Sequence, residues 1–476
     1  MRVLFAASEA MPLVKTGGLA DVVGALPKAL AEIGVDVTVI LPKYGEIPKE
    51  IQDRTTTLAV MDVQLGWRRQ YCGLQEAYVD GVRFLLVDNE FYFKRGYLYG
   101  YGDEAERFAF FSFAVLEAIK HLDTLPDIIH CHDWQTGLIP FLLKTRYANE
   151  PGLRNIRTLF TIHNLQFQGV FSRELLQDLL AAGDDAFTRD GLEFYGGASC
   201  LKAGLRYADK LSTVSYTYAH EIQGQEYGEK LDGVIRQRAG DLWGILNGID
   251  TEVYDPATDP HLAFPYADSM AEKRKNKTAL QRELSLVIDE KVPLVGIVSR
   301  LTRQKGFDLI AEALPDIMKE KVQLVILGTG EPGIESMLHA AQERYPGRIV
   351  VWYGFNEALA RRIYAASDLY LMPSRFEPCG LSQLIALRYR AVPVVRETGG
   401  LKDTVQSYNE YTGEGNGFSF GPASAHDLLY TVKRALRFYG DAGHWEKIVA
   451  NGAARDYGWT SSARLYDKLY RELIGE

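Results

Sequence analysis

PLVGIVSRLTRQKGFDLIAEALPDIMKEKVQLVILG (293–328) lays out the plan of the molecule in one stretch. Its ends, PLVGIVSR (293–300) and VQLVILG (322–328), are uniformly apolar and rich in branched side chains. Between them, GFDLIAEALPDIMKE (306–320) repeats apolar residues at helical spacing. Apolar runs of this kind read as parallel strands buried on both faces. The same alternation continues in both directions. Toward the C-terminus come RIVVWYG (348–354), DLYLMPS (368–374) and VPVVRE (392–397). Toward the N-terminus stand RVLFAAS (2–8), VDVTVILP (35–42), VRFLLVD (82–88), DIIHCHD (127–133), RTLFTIH (157–163), KLSTVS (210–215) and LWGILNG (242–248). The pattern predicts an α/β protein with doubly wound parallel sheets. Two sets of strands imply two sheets. Residues 250–291 carry charge and no strand pattern, which puts the junction near Gly248 to Asp259. The last segment, WTSSARLYDKLYREL (459–473), is an amphipathic helix that fits either domain.

A chain of 476 residues is too long for one core. Its composition, 47% hydrophobic and 24% charged, is that of an ordinary globular protein. A net charge of −9 with no Lys/Arg run argues against nucleic acid as a partner. A few cations in one pocket would still hold a small phosphate ligand. The opening MRVLFAASEAMPL has too short an apolar run for a leader, and no run nears the roughly 18–20 residues that span a bilayer. No membrane association is expected. Cys72, Cys131, Cys200 and Cys379 form no CxxC pair and show no metal spacing. Scattered thiols fit a reducing compartment, so the cytoplasm is the expected location.

Ligands of open parallel sheets bind beyond the carboxyl ends of the strands, and there the polar residues collect. The first strand ends in Ser8-Glu9 and leads into Lys15-Thr16-Gly17-Gly18. Glycines permit close approach of a ligand, and the next helix offers free N–H groups to an anion. Asp21 lies in the first helical turns, and Pro27 is expected to break or kink this helix. TGGLADVV (16–23) is echoed by TGGLKDTV (398–405), again where a strand gives way to a helix. His130, His132 and Asp133 close the fourth strand, His163 and Asn164 the fifth, and Asn247 the seventh. His130 and His132 alternate on one strand and could share a face. No further ligand set completes a metal site around them, and such groups also suit sugar hydroxyls. The second half supplies Arg300 and Lys305 at a strand-to-helix turn, suited to phosphate. RFEPCGL (375–381) places Glu377 beside another helix start. Cations with helix starts on one side, and hydroxyl-reading groups on the other, suggest a nucleotide-sugar as ligand.

KTGGLADVVGALP (15–27), HCHDWQTGL (130–138), TIHNLQFQG (161–169), ILNGID (245–250), SRLTRQKG (299–306), RFEPCGLSQL (375–384) and TGGLKDTV (398–405) resemble the bacterial glycogen synthases and plant starch synthases of glycosyltransferase family 5. They occur in that family's order and span nearly the whole chain. The resemblance implies the glycosyltransferase-B fold, with two Rossmann-like domains and the active site between them. It places 1–248 with 459–476 in a first domain on the acceptor side, and 249–458 in a second that binds the nucleotide-sugar. It implies ADP-glucose as donor, glycogen or a maltooligosaccharide as acceptor, retention of anomeric configuration, and no cofactor or metal.

By the same resemblance, Lys15, Gly17 and Gly18 approach the donor phosphates and glucose, and Arg300 and Lys305 neutralise the diphosphate. Glu377, His163, Asn247 and Asp133 contact the glucose, while Glu9 and Asp21 line the cleft. Asn164, Phe355, Cys379, Gly380, Leu381, Thr398, Gly399 and Gly400 complete the expected donor site. Two departures stand out. The loop 91–108 looks shorter than the family's, though Tyr99 still fits its tyrosine position for acceptor or base contact. Phe355 stands where relatives often have a tyrosine stacked on the base. No pair of carboxylates suits double displacement, which favours same-face attack by the acceptor hydroxyl. Alternatives are a silent glucan-binding protein on the same fold, or a related nucleotide-sugar enzyme.

Overall fold

The computed structural model describes all of residues 1–476. The chain divides into two compact units, Met1–Asn247 with Trp459–Glu476, and Gly248–Gly458.

The first unit contains β1 (Arg2–Ala6), β2 (Asp36–Pro42), β3 (Thr56–Leu65), β4 (Arg68–Val79), β5 (Val82–Asp88), β6 (Ile128–His132) and β7 (Arg157–Ile162). After them come β8 (Val170–Ser172), β9 (Glu193–Phe194), β10 (Gly197–Ser199), β11 (Lys210–Thr213) and β12 (Leu242–Gly244). Nine strands form one sheet in the order β12-β11-β7-β6-β1-β2-β5-β4-β3, and β8, β10 and β9 form a small separate sheet. Pairing is parallel from β12 to β5 and antiparallel from β5 through β4 to β3. The hairpin β3–β4 has no counterpart among the apolar runs because its strands are only partly covered: in β3 only Val63 and Leu65 are buried.

The second unit holds β13 (Leu294–Val298), β14 (Gln323–Gly328), β15 (Ile349–Tyr353), β16 (Leu369–Met372), β17 (Val392–Arg396) and β18 (Phe418–Phe420). All are parallel, in the order β15-β14-β13-β16-β17-β18. β14 shows why these runs are apolar throughout. Leu324 and Ile326 pack into one core with Phe307 and Leu314, while Val325 and Leu327 enter the core on the other face with Leu359 and Ile363. Both faces are thus shielded from water.

Each sheet crosses once to the other side of its first strand. From β1 the chain adds β2, runs out to the edge at β3, comes back through β4 and β5, and then adds β6 on the other side of β1. From β13 it builds through β14 and β15, then returns to add β16. Such switch points are where doubly wound sheets bind ligands. They lie between the ends of β1 and β6 in one unit, and between β13 and β16 in the other.

The helix Gly18–Glu32 runs through Pro27 rather than stopping there. Leu19, Val22, Val23, Leu26 and Leu30 are all buried, and this apolar face holds the helix across the bond that proline cannot make. The terminal helix Thr460–Ile474 packs in the first unit. There Tyr466 and Tyr470 are buried, Ser462 donates to the Leu246 carbonyl, and Glu472 pairs with Lys210 at 2.9 Å.

Candidate active site

At the end of β1, Glu9 is 4% exposed and folds the following loop around itself. Its carboxylate accepts from the backbone N–H of Thr16, from the Thr16 hydroxyl at 3.0 Å and from the Gly17 N–H at 3.3 Å. Burial raises its pKa against those bonds. Glu9 therefore shapes the loop, with its oxygens already engaged. Lys15 pairs with Asp21 at 2.8 Å across the first turn of the helix. Gly17 caps that helix with an extended backbone, and a Cβ there would meet nothing closer than Glu9 at 4.0 Å. Gly18 is exposed. At Gly17 the start of this fifteen-residue helix is thus uncrowded.

Across the switch point, Asp133 follows β6 at φ 56°, ψ −176°, a backbone region that only glycine enters freely. The fold spends about 1–3 kcal/mol on such a residue. What it gains is a carboxylate aimed at the end of β7, accepting from His163 N–H at 2.7 Å and Asn164 N–H at 3.4 Å. Burial lifts its pKa from 3.8 to about 7 despite those bonds. The Asn164 side chain caps its own turn, accepting from Gln166 N–H at 3.0 Å.

The His130 and His132 rings lie side by side with centroids 4.1 Å apart, and His163 follows at 5.2 Å from His132. His130 uses both nitrogens, one 2.8 Å from Tyr470 Oη and one 2.6 Å from Thr161 Oγ1. Burial drives the pKa values of His130 and His132 well below 6.5, and that of His163 to about 3. Burial thus favours the neutral form of each. No group of three or more His, Cys, Asp or Glu side chains is arranged to hold a metal ion.

Tyr99 places its hydroxyl 2.7 Å from Ser8 Oγ, again at the end of β1. Of the expected 91–108 loop only 94–103 is loop: its flanks lie in the helices Glu90–Phe93 and Glu104–Ile119, and the fully buried Arg107, on the second helix, donates to the carbonyls of Tyr92 and Leu98 and pairs with Glu104 at 3.0 Å. Arg95 adds a two-pronged contact with Asp103 at 2.7 and 2.6 Å. Asn247 is 5% exposed, and its amide oxygen has no partner in the chain. Such an atom needs an outside donor.

In the second unit, Gly306 has φ 80°, and a Cβ on it would lie 2.1 Å from the Pro373 carbonyl. That approach seats the loop after β13 on the loop after β16, joined by Arg375 N–H to Gln304 O at 2.8 Å. Lys305 Nζ thereby reaches Glu377 Oε2 at 2.6 Å, and Ser374 Oγ supports the same oxygen at 3.1 Å. Both charged side chains are largely buried, at 16% and 9% exposure. Arg300 is exposed and makes no ion pair within the chain.

Thr398, Gly399 and Gly400 close over the same loop from β17. Cβ atoms on the two glycines would strike the carbonyls of Glu377 and Cys379 at 1.9 and 2.0 Å. Gln383 holds the turn through Cys379, Gly380 and Leu381 by donating to the first two carbonyls at 3.2 and 2.8 Å. The two Thr-Gly-Gly echoes therefore differ. A Cβ at Gly17 in the first would meet only Glu9, at 4.0 Å, whereas both glycines of the second are closely packed by their own chain. Phe355, after β15, is 82% exposed and presents a free ring.

The residues singled out in the sequence thus gather at two switch points: Glu9, Lys15, Gly17, Gly18, Asp21, Tyr99, Asp133 and His163 at one, Arg300, Lys305, Glu377 and Gly399 at the other. Ser374, Gln383 and Tyr470 were not legible. A serine after a strand or a tyrosine on a terminal helix carries no signal of its partner.

Residues 2–237 match the family described as starch synthase catalytic domain, and residues 282–450 match glycosyl transferases group 1. The chain is 54% identical to a glycogen synthase of Desulforamulus reducens, over all of this chain and 99% of that one. It is 52% identical to a glycogen synthase of Bacillus cereus over the full length of both. Among solved structures, the catalytic domain of starch synthase IV from Arabidopsis thaliana, bound to ADP and acarbose, is similar at a TM-score of 0.93 and 34% identity, covering 100% of this chain and 99% of that one. A sucrose-phosphate synthase of Thermosynechococcus elongatus, at 20% identity and a TM-score of 0.63 over 100% and 99% of the chains, shares the fold alone. The fold is that of the glycosyltransferase-B enzymes, and the chain belongs to the glycogen and starch synthase family.

Proposed function

We propose that the protein transfers glucose from ADP-glucose to the non-reducing end of an α-1,4-glucan, glycogen or a maltooligosaccharide, with retention of configuration, in the cytoplasm. The observation that carries this reading is the buried Lys305–Glu377 pair with the unpaired Arg300 beside it in sequence, at the switch point of the second unit. The second unit would take the nucleotide-sugar. The first would supply the acceptor side and the loops that read the sugar.

Departure of the nucleoside diphosphate places about one extra negative charge on its terminal phosphate. Arg300 and Lys305 bind that charge more strongly in the transition state than in the ground state, which is what accelerates the step. Glu377 fixes the direction of Lys305 while its other oxygen remains available for a sugar hydroxyl. As the bond to phosphate breaks, the glucosyl carbon gains positive character. The acceptor hydroxyl attacks from the same face, and the leaving phosphate takes its proton. Asp133, His163 and Asn247 orient the glucose. Lys15 with the Gly17–Gly18 turn meets the phosphates from the open helix start.

The test is release of nucleoside diphosphate by the purified protein, with and without glycogen, from ADP-glucose and UDP-glucose. Glycogen-dependent release of ADP is expected. A preference for UDP-glucose overturns the donor assignment. Absence of release from either donor, with glycogen still bound, overturns the enzymatic reading in favour of a glucan-binding protein.

A further inference from the structure

His132 belongs to no role assigned so far, yet it is wholly buried between two other histidines. Its Nδ1 lies 2.9 Å from His163 Nε2, and its own Nε2 is buried with no partner. Phe5 closes another side, with ring centroids 5.1 Å apart. His130 cannot serve as partner, because Tyr470 and Thr161 occupy both of its nitrogens.

Two neutral imidazoles joined by one hydrogen bond share a single proton along it, so two arrangements exist. In one, His163 Nε2–H donates to His132 Nδ1. The His132 proton then sits on Nε2, a buried N–H with no acceptor. In the other, His132 Nδ1–H donates to His163 Nε2, and only a lone pair on His132 is left unmatched. Orphaned buried N–H groups are rarer in proteins than under-satisfied acceptors.

We propose that His132 is a positioning residue that fixes His163 as its Nδ1–H tautomer, so that His163 presents a hydrogen-bond donor to an oxygen of the bound sugar. The inference rests on the reading above that His163 meets the donor glucose. His163 Nδ1 makes no bond within the chain, and the ring is only half-buried, so this N–H is the one left for a ligand. Burial keeps the ring neutral. A neutral donor suits a sugar that is gaining positive charge, whereas an imidazolium would oppose it.

The tautomer is read from nitrogen spectra of the full chain carrying ring-¹⁵N histidine, with His163→Gln to assign the signals. His163 is expected to be protonated on Nδ1 and His132 also on Nδ1. Protonation of His163 on Nε2 overturns the proposal without reference to activity. The kinetic arm compares two variants. His132→Leu removes the donor and is expected to lower kcat about 10–100-fold, as loss of groups that orient functional histidines does, with donor KM little changed. His132→Asn keeps an N–H near the Nδ1 position and should recover most of that loss. Equal impairment of both, the result of a packing role alone, overturns the proposal. An Nδ1–H tautomer together with wild-type kcat in His163→Ala overturns it through the reading it rests on.

Discussion

Replacing Lys305 by alanine separates two roles of one side chain. Its ammonium sits 2.6 Å from Glu377, and both are largely buried. Removing one partner of a buried pair leaves the other charge uncompensated, at a cost of about 3–5 kcal/mol. For a unit of this size each kcal/mol shifts the melting temperature by about 2–4 °C, so unfolding of Lys305→Ala should fall by about 6–20 °C. On the proposed role of Lys305 at the leaving phosphate, loss of this preorganised charge should lower kcat about 10²–10³-fold, or about 2.7–4 kcal/mol. The double variant Lys305→Met with Glu377→Gln divides these effects. With neither charge left to strand, more than half of the lost thermal stability should return, while kcat stays at or below that of the single variant. Scanning calorimetry and glycogen-dependent ADP release read the two quantities on the same samples. Retention of kcat within about threefold in Lys305→Ala, or a double variant that melts no higher than the single one, would refute these roles.

Three further outcomes follow from the same geometry. Gly17→Ala has 4.0 Å of clearance and should leave the melting temperature unchanged while raising donor KM, whereas Gly306→Ala, with φ 80° and an atom 2.1 Å away, should destabilise the fold by more than about 1 kcal/mol in a denaturant titration. Asp133 keeps its proton in the folded state up to about pH 7, against 3.8 normally. The folded state then holds more protons than the unfolded one between those values, so this carboxyl's contribution to stability is complete below about pH 4 and declines toward 7. In Asp133→Asn that part of the slope in a series of melting curves across this range should vanish. Tyr470→Phe leaves His130 Nδ1 unpartnered and should cost about 1–3 kcal/mol in urea unfolding.

What the sequence revealed, and what it hid, follows from the range of the forces involved. Parallel strands covered on both faces must be apolar at every position, so β1, β2, β13 and β14 could be read directly. β3 and β4 are partly open to solvent, and β18 is three residues long, too short for any period to show. Positions at strand ends could be singled out because doubly wound folds place ligands there. Bonds across the switch points were not. Lys305 and Glu377 are 72 residues apart, and His130 and Tyr470 are 340 apart. Nothing local in either motif encodes those pairs. Glu9 shows the opposite case: its place beside the Gly-rich loop was evident, but its role in holding Thr16 and Gly17 became visible only with coordinates. Pro27 argued locally for a break or a kink, and the helix is not broken there: it continues with its buried face packed.

The most direct test of the central claim is proton NMR of the anomeric region while the protein acts on ADP-glucose and a short maltooligosaccharide. Growth of an α-1,4 signal in step with loss of the donor's α-anomeric signal, without accumulation of free glucose, is the predicted result. A β-linked product, or hydrolysis of the donor with no longer glucan, would contradict it.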